Sequence, residues 1–277
     1  MKTILVTGAT NGIGLEASVQ LAEQGHRVVL VGRDEARTER ALADVRQRSG
    51  SDLVDTQLCD FSSQSATQAL AQRVLDDYDR IDVLVNNAGT VFDKRTLTED
   101  GVEATFAVNY LAPFLLTSLL RDRLVASAPA RIVNVSSVGH YQGTLEFDNL
   151  GFERGYSIMR AYSRSKLALV LFTRSLAAQL EGTGVTVNAL HPGGVATGIW
   201  SGAPWFARPI LALAKLGMDS PEQGGRHLTY LATSPEVDGL TGLYFDDDDR
   251  AKRPAELALD DELASRLWKE SERLVGL

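Results

Sequence analysis

The chain has 277 residues, 44% of them hydrophobic and 23% charged, so it is long enough to bury a sizeable core. Its formal net charge of −8 argues against a general binder of nucleic-acid phosphates, and its single cysteine, Cys59, excludes a disulfide framework and a cysteine-based metal cluster. The first apolar run follows Met1, Lys2 and Thr3 directly, and no stretch of about 18 apolar residues occurs, so we expect no leader, no membrane anchor and a cytoplasmic protein.

Short β-branched runs alternate with longer segments of helical periodicity along the chain. The predicted strands are Thr3–Thr7, Arg27–Val31, Leu53–Leu58, Val83–Asn86, Arg131–Ser136, Thr186–His191 and Gly242–Phe245. The predicted helices are Gly14–Gln24, Glu35–Arg48, Ser65–Leu75, Gly101–Ala126 and Ala161–Glu181. This alternation predicts an α/β fold, a Rossmann-type doubly wound parallel sheet of about seven strands flanked by helices, in one domain over residues 1–277.

A glycine-rich turn follows the first predicted strand, where residues 7–14 are Thr-Gly-Ala-Thr-Asn-Gly-Ile-Gly. Glycines let the backbone turn tightly and approach a pyrophosphate, whose charge the next helix N-terminus stabilises. Such turns also form for purely structural reasons, but the position between a strand and a helix favours a dinucleotide site. The residues predicted to contact the cofactor here are Gly8, Thr10, Asn11, Gly12, Ile13 and Gly14.

The second predicted strand is followed by Gly32, Arg33 and Asp34, at the distance where NAD enzymes place an acid against the ribose 2′-hydroxyl. Gly32 carries no carboxylate and Arg33 can pair with a 2′-phosphate, which favours NADP(H). This preference would weaken if Asp34 faced the ribose, and Arg33 could also be an ordinary solvated cation. After the third strand, Asp60 and Phe61 are predicted to meet the adenine, unless Asp60 simply caps the next helix.

Tyr162 and Lys166 are four residues apart in a predicted helix, which places them on one face. A free tyrosine has a pKa of about 10, and a nearby ammonium group is expected to lower the pKa of Tyr162 toward neutrality. Ser136 ends the fifth predicted strand, at the sheet edge where open parallel sheets bind ligands, and could hold a substrate oxygen. Each residue alone has an ordinary structural explanation, but together at one edge they favour a catalytic site.

These motifs together resemble the short-chain dehydrogenase/reductase family, in family order over nearly the whole chain. The residues that carry the resemblance are the turn at 8–14, Asn86-Asn87-Ala88-Gly89, Asn109, Ser136 and Tyr162-x-x-x-Lys166. The resemblance implies that Tyr162 is the general acid/base, that Ser136 orients the carbonyl, that Lys166 binds ribose and tunes Tyr162, and that Asn109 holds a relay water. It also implies further cofactor contacts from Asn87, Ala88, Gly89, Pro192, Gly193, Val195 and Thr197, with His191 structural.

More narrowly, the chain resembles the retinol dehydrogenase-like branch of that family. Three features carry this resemblance: an insertion between Ser136 and Tyr162, the run Ser165–Phe172 in the active helix, and a tail containing Gly242–Phe245 and Leu267–Glu272.

The segment 198–221 contains Trp200, Trp205 and Phe206 and is predicted to be an apolar lid over the nicotinamide end of the site. The opposite wall is predicted from the aromatic residues of the insertion, which are Tyr141, Phe147, Phe152 and Tyr156. This lining indicates a hydrophobic small-molecule substrate. The same residues could instead pack at a subunit interface or touch lipid. The predicted helices at 101–126 and 161–181 could support a homo-oligomer.

The sequence therefore predicts an NADP(H)-dependent oxidoreductase that acts on a hydrophobic alcohol or carbonyl compound without a metal and without a nucleic-acid partner. One alternative is an NADP-binding sensor, which would be expected to lose Tyr162 or Lys166. The other is a carbon–carbon double-bond reductase, which would need a different proton-donor geometry. The run Asp246–Asp249 lacks the ligand spacing of a calcium loop and is predicted to be a solvated loop.

Overall fold

The computed structural model describes residues 1–194 and 219–277, and within these two ranges eight strands form one sheet. The strands are β1 (Thr3–Thr7), β2 (Arg27–Gly32), β3 (Val54–Leu58), β4 (Val83–Asn86), β5 (Ala130–Val135), β6 (Val185–Leu190), β7 (Tyr244–Phe245) and β8 (Ala251–Lys252). Their order is β3-β2-β1-β4-β5-β6-β7-β8, and every neighbouring pair is parallel except β7 and β8. The predicted fold class is confirmed. Sequence patterning missed β8 because its two exposed residues carry no apolar signal.

Helices cover both faces of the sheet. They are α1 (Gly12–Glu23), α2 (Glu35–Ser49), α3 (Gln64–Asp77), α4 (Ala104–Phe106), α5 (Ala112–Ala126), α6 (Ile158–Gln179), α7 (Pro221–Thr233) and α8 (Asp261–Val275), with a π-helical turn at Ala107–Leu111 between α4 and α5. The predicted helix at 101–126 is thus three pieces, and α7 and α8 were not predicted. None of the helices in the described ranges combines the length and apolar character that crossing a bilayer requires.

The strands bury both faces, as their apolar sequences indicate. Ile4 and Val6 contribute to the core under α1, α2 and α7, whereas Leu5 contributes to the core under α3, α5, α6 and α8. This alternation follows from the period of two along a strand. Helices α1 and α7 approach so closely that a Cβ at Gly225 would lie 2.9 Å from the Ala17 nitrogen.

A buried polar chain joins the sheet to two helices just behind its carboxyl edge. Asn86 Nδ2 donates to Thr117 Oγ1 (3.1 Å) and to Asn134 Oδ1 (2.8 Å), and Asn134 Nδ2 donates to Thr173 Oγ1 (2.9 Å). Because unpaired buried amides are costly, these bonds favour a single register between β4, β5, α5 and α6.

Helix α8 covers part of the outer faces of α5 and α6. The ring of Trp268 lies 5.0 Å from that of Phe114 and 5.8 Å from that of Phe172. The hydroxyls of Tyr110 and Ser271 are 2.7 Å apart, which ties α8 to the π-helical turn. The homo-oligomer stays a prediction. The faces of α5 and α6 that α8 covers are, however, already packed against the same chain.

Candidate active site

A cleft of about 1070 Å³ runs along the carboxyl edge of the sheet. It brings together most of the predicted site residues, which are Gly8, Thr10, Asn11, Gly12, Ile13, Gly14, Arg33, Asp60, Phe61, Asn87, Ala88, Gly89, Ser136, Tyr162, Lys166, Pro192 and Gly193. Asn109 lies behind this lining. Val195, Thr197 and the predicted lid, except for residues 219–221, lie outside the described residues.

The glycine-rich turn after β1 forms one wall of the cleft. Gly8 has a φ of 66°, and a Cβ there would lie 2.8 Å from the Ala88 Cα. A Cβ at Gly14 would lie 2.6 Å from the Gly8 carbonyl oxygen. Helix α1 begins at Gly12, and the Asn11 side chain makes no capping hydrogen bond within the described part of the chain. First-turn N–H groups therefore stay available to an anion, so the turn fits a pyrophosphate.

Thr7 and Asn87 hold this turn against the end of β4. The N–H groups of Asn87 and Ala88 donate to Thr7 Oγ1 at 2.9 and 3.0 Å. Asn87 Nδ2 donates to the carbonyl oxygens of Thr7 (2.8 Å) and Gly8 (3.2 Å). The Asn87 side chain thus positions the turn, and cofactor contacts from this segment would come from its backbone.

The tip of β2 carries two exposed arginines and an aspartate that caps the next helix. Asp34 accepts a hydrogen bond from the Arg37 N–H at 2.9 Å and caps α2, so its carboxylate is already engaged. A Cβ at Gly32 would lie 2.1 Å from Thr38 Oγ1, which leaves no room there for an acidic side chain. Arg33 and Arg37 are both exposed cations lining the cleft. Sequence reasoning missed Arg37, although the first turn of a helix predicted from Glu35 would have placed it near Arg33.

Asp60 lines the cleft beside Phe61, and contact of these residues with an adenine stays a prediction. Its carboxylate accepts hydrogen bonds from the N–H (3.0 Å) and hydroxyl (2.8 Å) of Ser62. The alternative role of Asp60 as a helix cap is wrong, because Ser63 caps α3 through the Ala66 N–H.

The structure brings Ser137, rather than Ser136, to Tyr162. Ser136 Oγ donates to the carbonyl oxygen of Lys166 at 3.1 Å and so faces the backbone of α6. The Ser137 side chain interacts with Tyr162, and its hydroxyl accepts from the Gly139 N–H at 3.0 Å. The prediction that Ser136 and Tyr162 hold the substrate between them is therefore wrong for Ser136, because its hydroxyl is bonded to the backbone of α6.

Tyr162 and Lys166 share one face of α6, as their spacing predicts. The Lys166 Nζ lies 5.6 Å from the centre of the Tyr162 ring and donates to the Val135 carbonyl oxygen at 2.8 Å. Burial lowers the pKa of Lys166 to about 8. Burial also raises the pKa of Tyr162, an effect that the hydrogen bond with Ser137 only partly offsets. The expected lowering of the pKa of Tyr162 is therefore not found, and the protonated phenol is suited to donating a proton.

Asn109 lies in the π-helical turn and joins two parts of the site. Its Oδ1 accepts from the Thr90 N–H at 2.8 Å, and its Nδ2 donates to the Thr90 carbonyl oxygen (3.0 Å) and to Ser165 Oγ (3.1 Å). The residue thereby fixes the segment after β4 against α6. A relay water at Asn109 stays a prediction.

His140, which sequence reasoning missed, supports the turn that carries Ser137. Its Nδ1 lies 2.7 Å from the Ser137 carbonyl oxygen, and its Nε2 accepts from the Ala255 N–H at 3.1 Å. The neutral ring protonated at Nδ1 satisfies both bonds, and burial lowers the pKa of His140. Its position three residues after Ser137 was the available signal.

The aromatic residues of the insertion do not form the predicted wall, because none of the four lines the cleft. Tyr156 donates to the Phe92 carbonyl oxygen at 2.7 Å, and the Tyr141 hydroxyl donates to the Arg253 carbonyl oxygen at 2.8 Å. The ring centre of Phe152 lies 3.7 Å from Arg164 Cζ, and the ring centre of Phe147 lies 4.0 Å from Arg266 Cζ. These contacts hold the insertion in place behind the cleft.

The described apolar lining of the outer cleft comes from other residues. Phe92, Leu97, Val138 and Met159 line it, and the last three are 46–47% exposed. Large apolar side chains that stay this exposed in a cleft are suited to contact with an apolar ligand.

The chain matches the short chain dehydrogenase family over residues 2–204. It is 43% identical to human retinol dehydrogenase 13 over 283 residues, which cover 100% of this chain and 85% of that protein. It is also 43% identical to mouse retinol dehydrogenase 14 over 289 residues, which cover 100% of this chain and 86% of that protein.

Two solved structures share this fold. A protein from Mycobacterium paratuberculosis matches with a TM-score of 0.79 and 29% identity. The match covers 100% of this chain and 94% of that protein's chain. A variant of actinorhodin polyketide ketoreductase with NADPH matches with a TM-score of 0.69 and 29% identity. The match covers 88% of this chain and 95% of the ketoreductase chain. The chain belongs to the short-chain dehydrogenase/reductase family, in its retinol dehydrogenase-like branch.

Proposed function

We propose that this protein is an NADP(H)-dependent oxidoreductase that transfers a hydride between nicotinamide and a hydrophobic alcohol or carbonyl compound. The observation that carries the proposal is one cleft with two chemically different regions. Tyr162, Ser137 and Lys166 lie beside the end of β5, whereas Arg33 and Arg37 follow β2, and β1 and β4 separate the two strands in the sheet.

The residues around the cleft fit the dinucleotide. The turn at 8–14 would hold the pyrophosphate, Asp60 and Phe61 would adjoin the adenine, and Arg33 and Arg37 would pair with the 2′-phosphate. The cofactor supplies the hydride in reduction and takes it up in oxidation. NADPH in the ketoreductase structure supports the choice of NADP(H).

The chain's own groups handle the oxygen of the substrate. In reduction, the hydroxyls of Ser137 and Tyr162 donate hydrogen bonds to the carbonyl oxygen, and Tyr162 transfers its proton to that oxygen as the carbon receives the hydride. In oxidation, the phenolate form of Tyr162 takes the proton from the alcohol as the hydride leaves carbon. The Lys166 ammonium stabilises the phenolate that results from proton donation.

The substrate class follows from the apolar outer cleft. Leu97, Val138 and Met159 present apolar surface in the same cleft as Tyr162 and offer no charged group to a substrate. A hydrophobic aldehyde, ketone or alcohol fits this surface better than a sugar or a small acid. The names of the retinol dehydrogenase relatives make retinoids one member of the class to be tested.

The test is NADPH oxidation, followed by absorbance, against a panel of hydrophobic aldehydes and ketones that includes a retinal. We expect turnover by the wild type and a loss of at least about 10³-fold in Tyr162→Phe. Tight NADPH binding by both proteins would show that the variant keeps its fold. Tight NADPH binding by the wild type without turnover of any substrate would contradict the proposal and favour a sensor.

A further inference from the structure

The aspartate run after β7 divides into two pairs with different surroundings. Asp248 lies 2.7 Å from Lys252 Nζ, and Asp249 lies 2.7 Å from His227 Nδ1. The side chains of Asp246 and Asp247 make no hydrogen bond or ion pair within the described residues. The predicted solvated loop therefore describes Asp248 and Asp249 but leaves two adjacent carboxylates unexplained.

A buried histidine faces these two carboxylates from the neighbouring strand. His191 follows β6, and its N–H donates to the Phe245 carbonyl oxygen at 2.9 Å, which places the residue beside Asp246. Its side chain belongs to a residue only 8% exposed. Its Nδ1 is buried and has no hydrogen-bond partner in the described part of the chain. Because a buried nitrogen without a hydrogen-bond partner is costly, this position favours a ligand.

We infer that His191, Asp246 and Asp247 together bind one divalent transition-metal cation at the carboxyl edge of the sheet. One ligand atom from each residue lies within 4.8 Å of the others. Ligands of a single tetrahedral zinc ion stand ~3.4 Å apart, so a small adjustment of the exposed Asp247 side chain closes the site. One imidazole and two carboxylates suit Zn²⁺ better than Ca²⁺, which prefers ligand sets made only of oxygen.

The cation would brace the sheet beside the cleft. His191, Pro192 and Gly193 line the cleft, whereas Asp246 and Asp247 follow the next strand. A bound ion would link the ends of β6 and β7 and hold the 191–193 segment in place. No step of the proposed hydride transfer passes through it, so the inference stands or falls independently of that activity.

The test is calorimetric titration of chelator-treated protein with ZnCl₂. We expect about one Zn²⁺ per chain for the wild type and binding at least about tenfold weaker for Asp247→Asn. Because Asp247 is exposed, this variant is expected to fold. Asp248→Asn is the matched control, since it removes the same charge from the same turn at a residue paired with Lys252. It should bind Zn²⁺ within about twofold of the wild type.

A second control addresses the other histidine–aspartate pair. Asp249→Asn disrupts the contact with His227 and should leave Zn²⁺ binding unchanged. Zn²⁺ should also raise the melting temperature of the wild type and of both controls, but not that of Asp247→Asn. The inference is overturned if the wild type binds no Zn²⁺, if Asp247→Asn and Asp248→Asn weaken binding equally, or if only Asp249→Asn abolishes it.

Discussion

The Ser137 side chain interacts with Tyr162, whereas the hydroxyl of the preceding serine donates to the backbone of α6. The reason is strand alternation. Asn134 and Ser136 are two residues apart, and both direct their side chains at α6. Ser137 lies one residue beyond and begins the 3₁₀ turn Val138–Gln142, so its side chain faces the cleft.

Replacing the two serines separately should distinguish their roles. Ser137→Ala should lower kcat/KM by about 10²–10³, because a donor to the developing oxyanion is lost. Ser136→Ala should lower the free energy of unfolding by about 1 kcal/mol and kcat/KM by less than about tenfold. Steady-state kinetics and thermal unfolding of both variants are the measurements. A larger kinetic loss in Ser136→Ala would contradict the assignment.

Removing either arginine beside the tip of β2 should reduce discrimination between the two dinucleotides. Arg33→Ala and Arg37→Ala should each raise the KM for NADPH by about tenfold or more, because a charged hydrogen bond to phosphate is lost, and should leave the KM for NADH nearly unchanged. Arg40→Ala, an exposed arginine of α2 outside the cleft, is the control. An unaltered NADPH preference in both variants would count against NADP(H).

The pH dependence of reduction should report the buried lysine. Since the pKa of Lys166 is lowered to about 8, its ammonium form persists below that pH and is lost above it. The kcat/KM for carbonyl reduction should therefore be flat below pH 8 and fall about tenfold per unit above it.

Lys166→Arg provides the control for that profile, because a guanidinium group stays charged above pH 12. The variant should be slower, but the falling limb of its profile should move to higher pH. An unchanged inflection near pH 8 would assign the titration to another group.

The insertion before α6 should depend on one buried arginine. Arg164 is fully buried and donates to the carbonyl oxygens of Thr144 (2.9 Å), Asn149 (2.6 Å) and Leu150 (3.0 Å). Arg164→Met should lower the free energy of unfolding by about 3 kcal/mol, because these acceptors lose their partner.

The control is Arg160→Met, one turn earlier on the same helix. Its side chain is 50% exposed and donates to the Gly155 carbonyl oxygen at 2.9 Å, so its loss should cost less than about 1 kcal/mol. Urea denaturation of both variants measures the difference. Equal losses would show that burial of Arg164 adds nothing to the stability of the insertion.

Local sequence was enough for features set by spacing. The glycines at 8, 12 and 14 and the pair Tyr162 and Lys166 follow from the geometry of a tight turn and of a helix face. Side chains whose direction depends on tertiary contacts were not predictable. Phe152, for example, is buried against Arg164 instead of lining the cleft, and nothing in its neighbouring sequence indicates that partner.

The side chain of the aspartate that follows β2 is another whose role was not assigned from sequence. The role of Asp34 was left open, although the helix predicted from Glu35 places Asp34 at its N-cap position. Once the helix starts at Glu35, Asp34 is its cap. The two C-terminal helices were missed although α8 carries a clear apolar stripe, buried at Ala264, Leu267 and Val275.

The position of helix α8 bears on how the stability of the protein depends on its concentration. Where a helix face is covered only by another subunit, stability falls as protein concentration falls. Here both partners belong to the same chain. Trp268 covers Phe114 and Phe172, and Ser271 hydrogen-bonds with Tyr110. The contacts that support α6 at this face therefore come from the same chain. Their contribution to the melting temperature should be the same in a nanomolar solution as in a concentrated one.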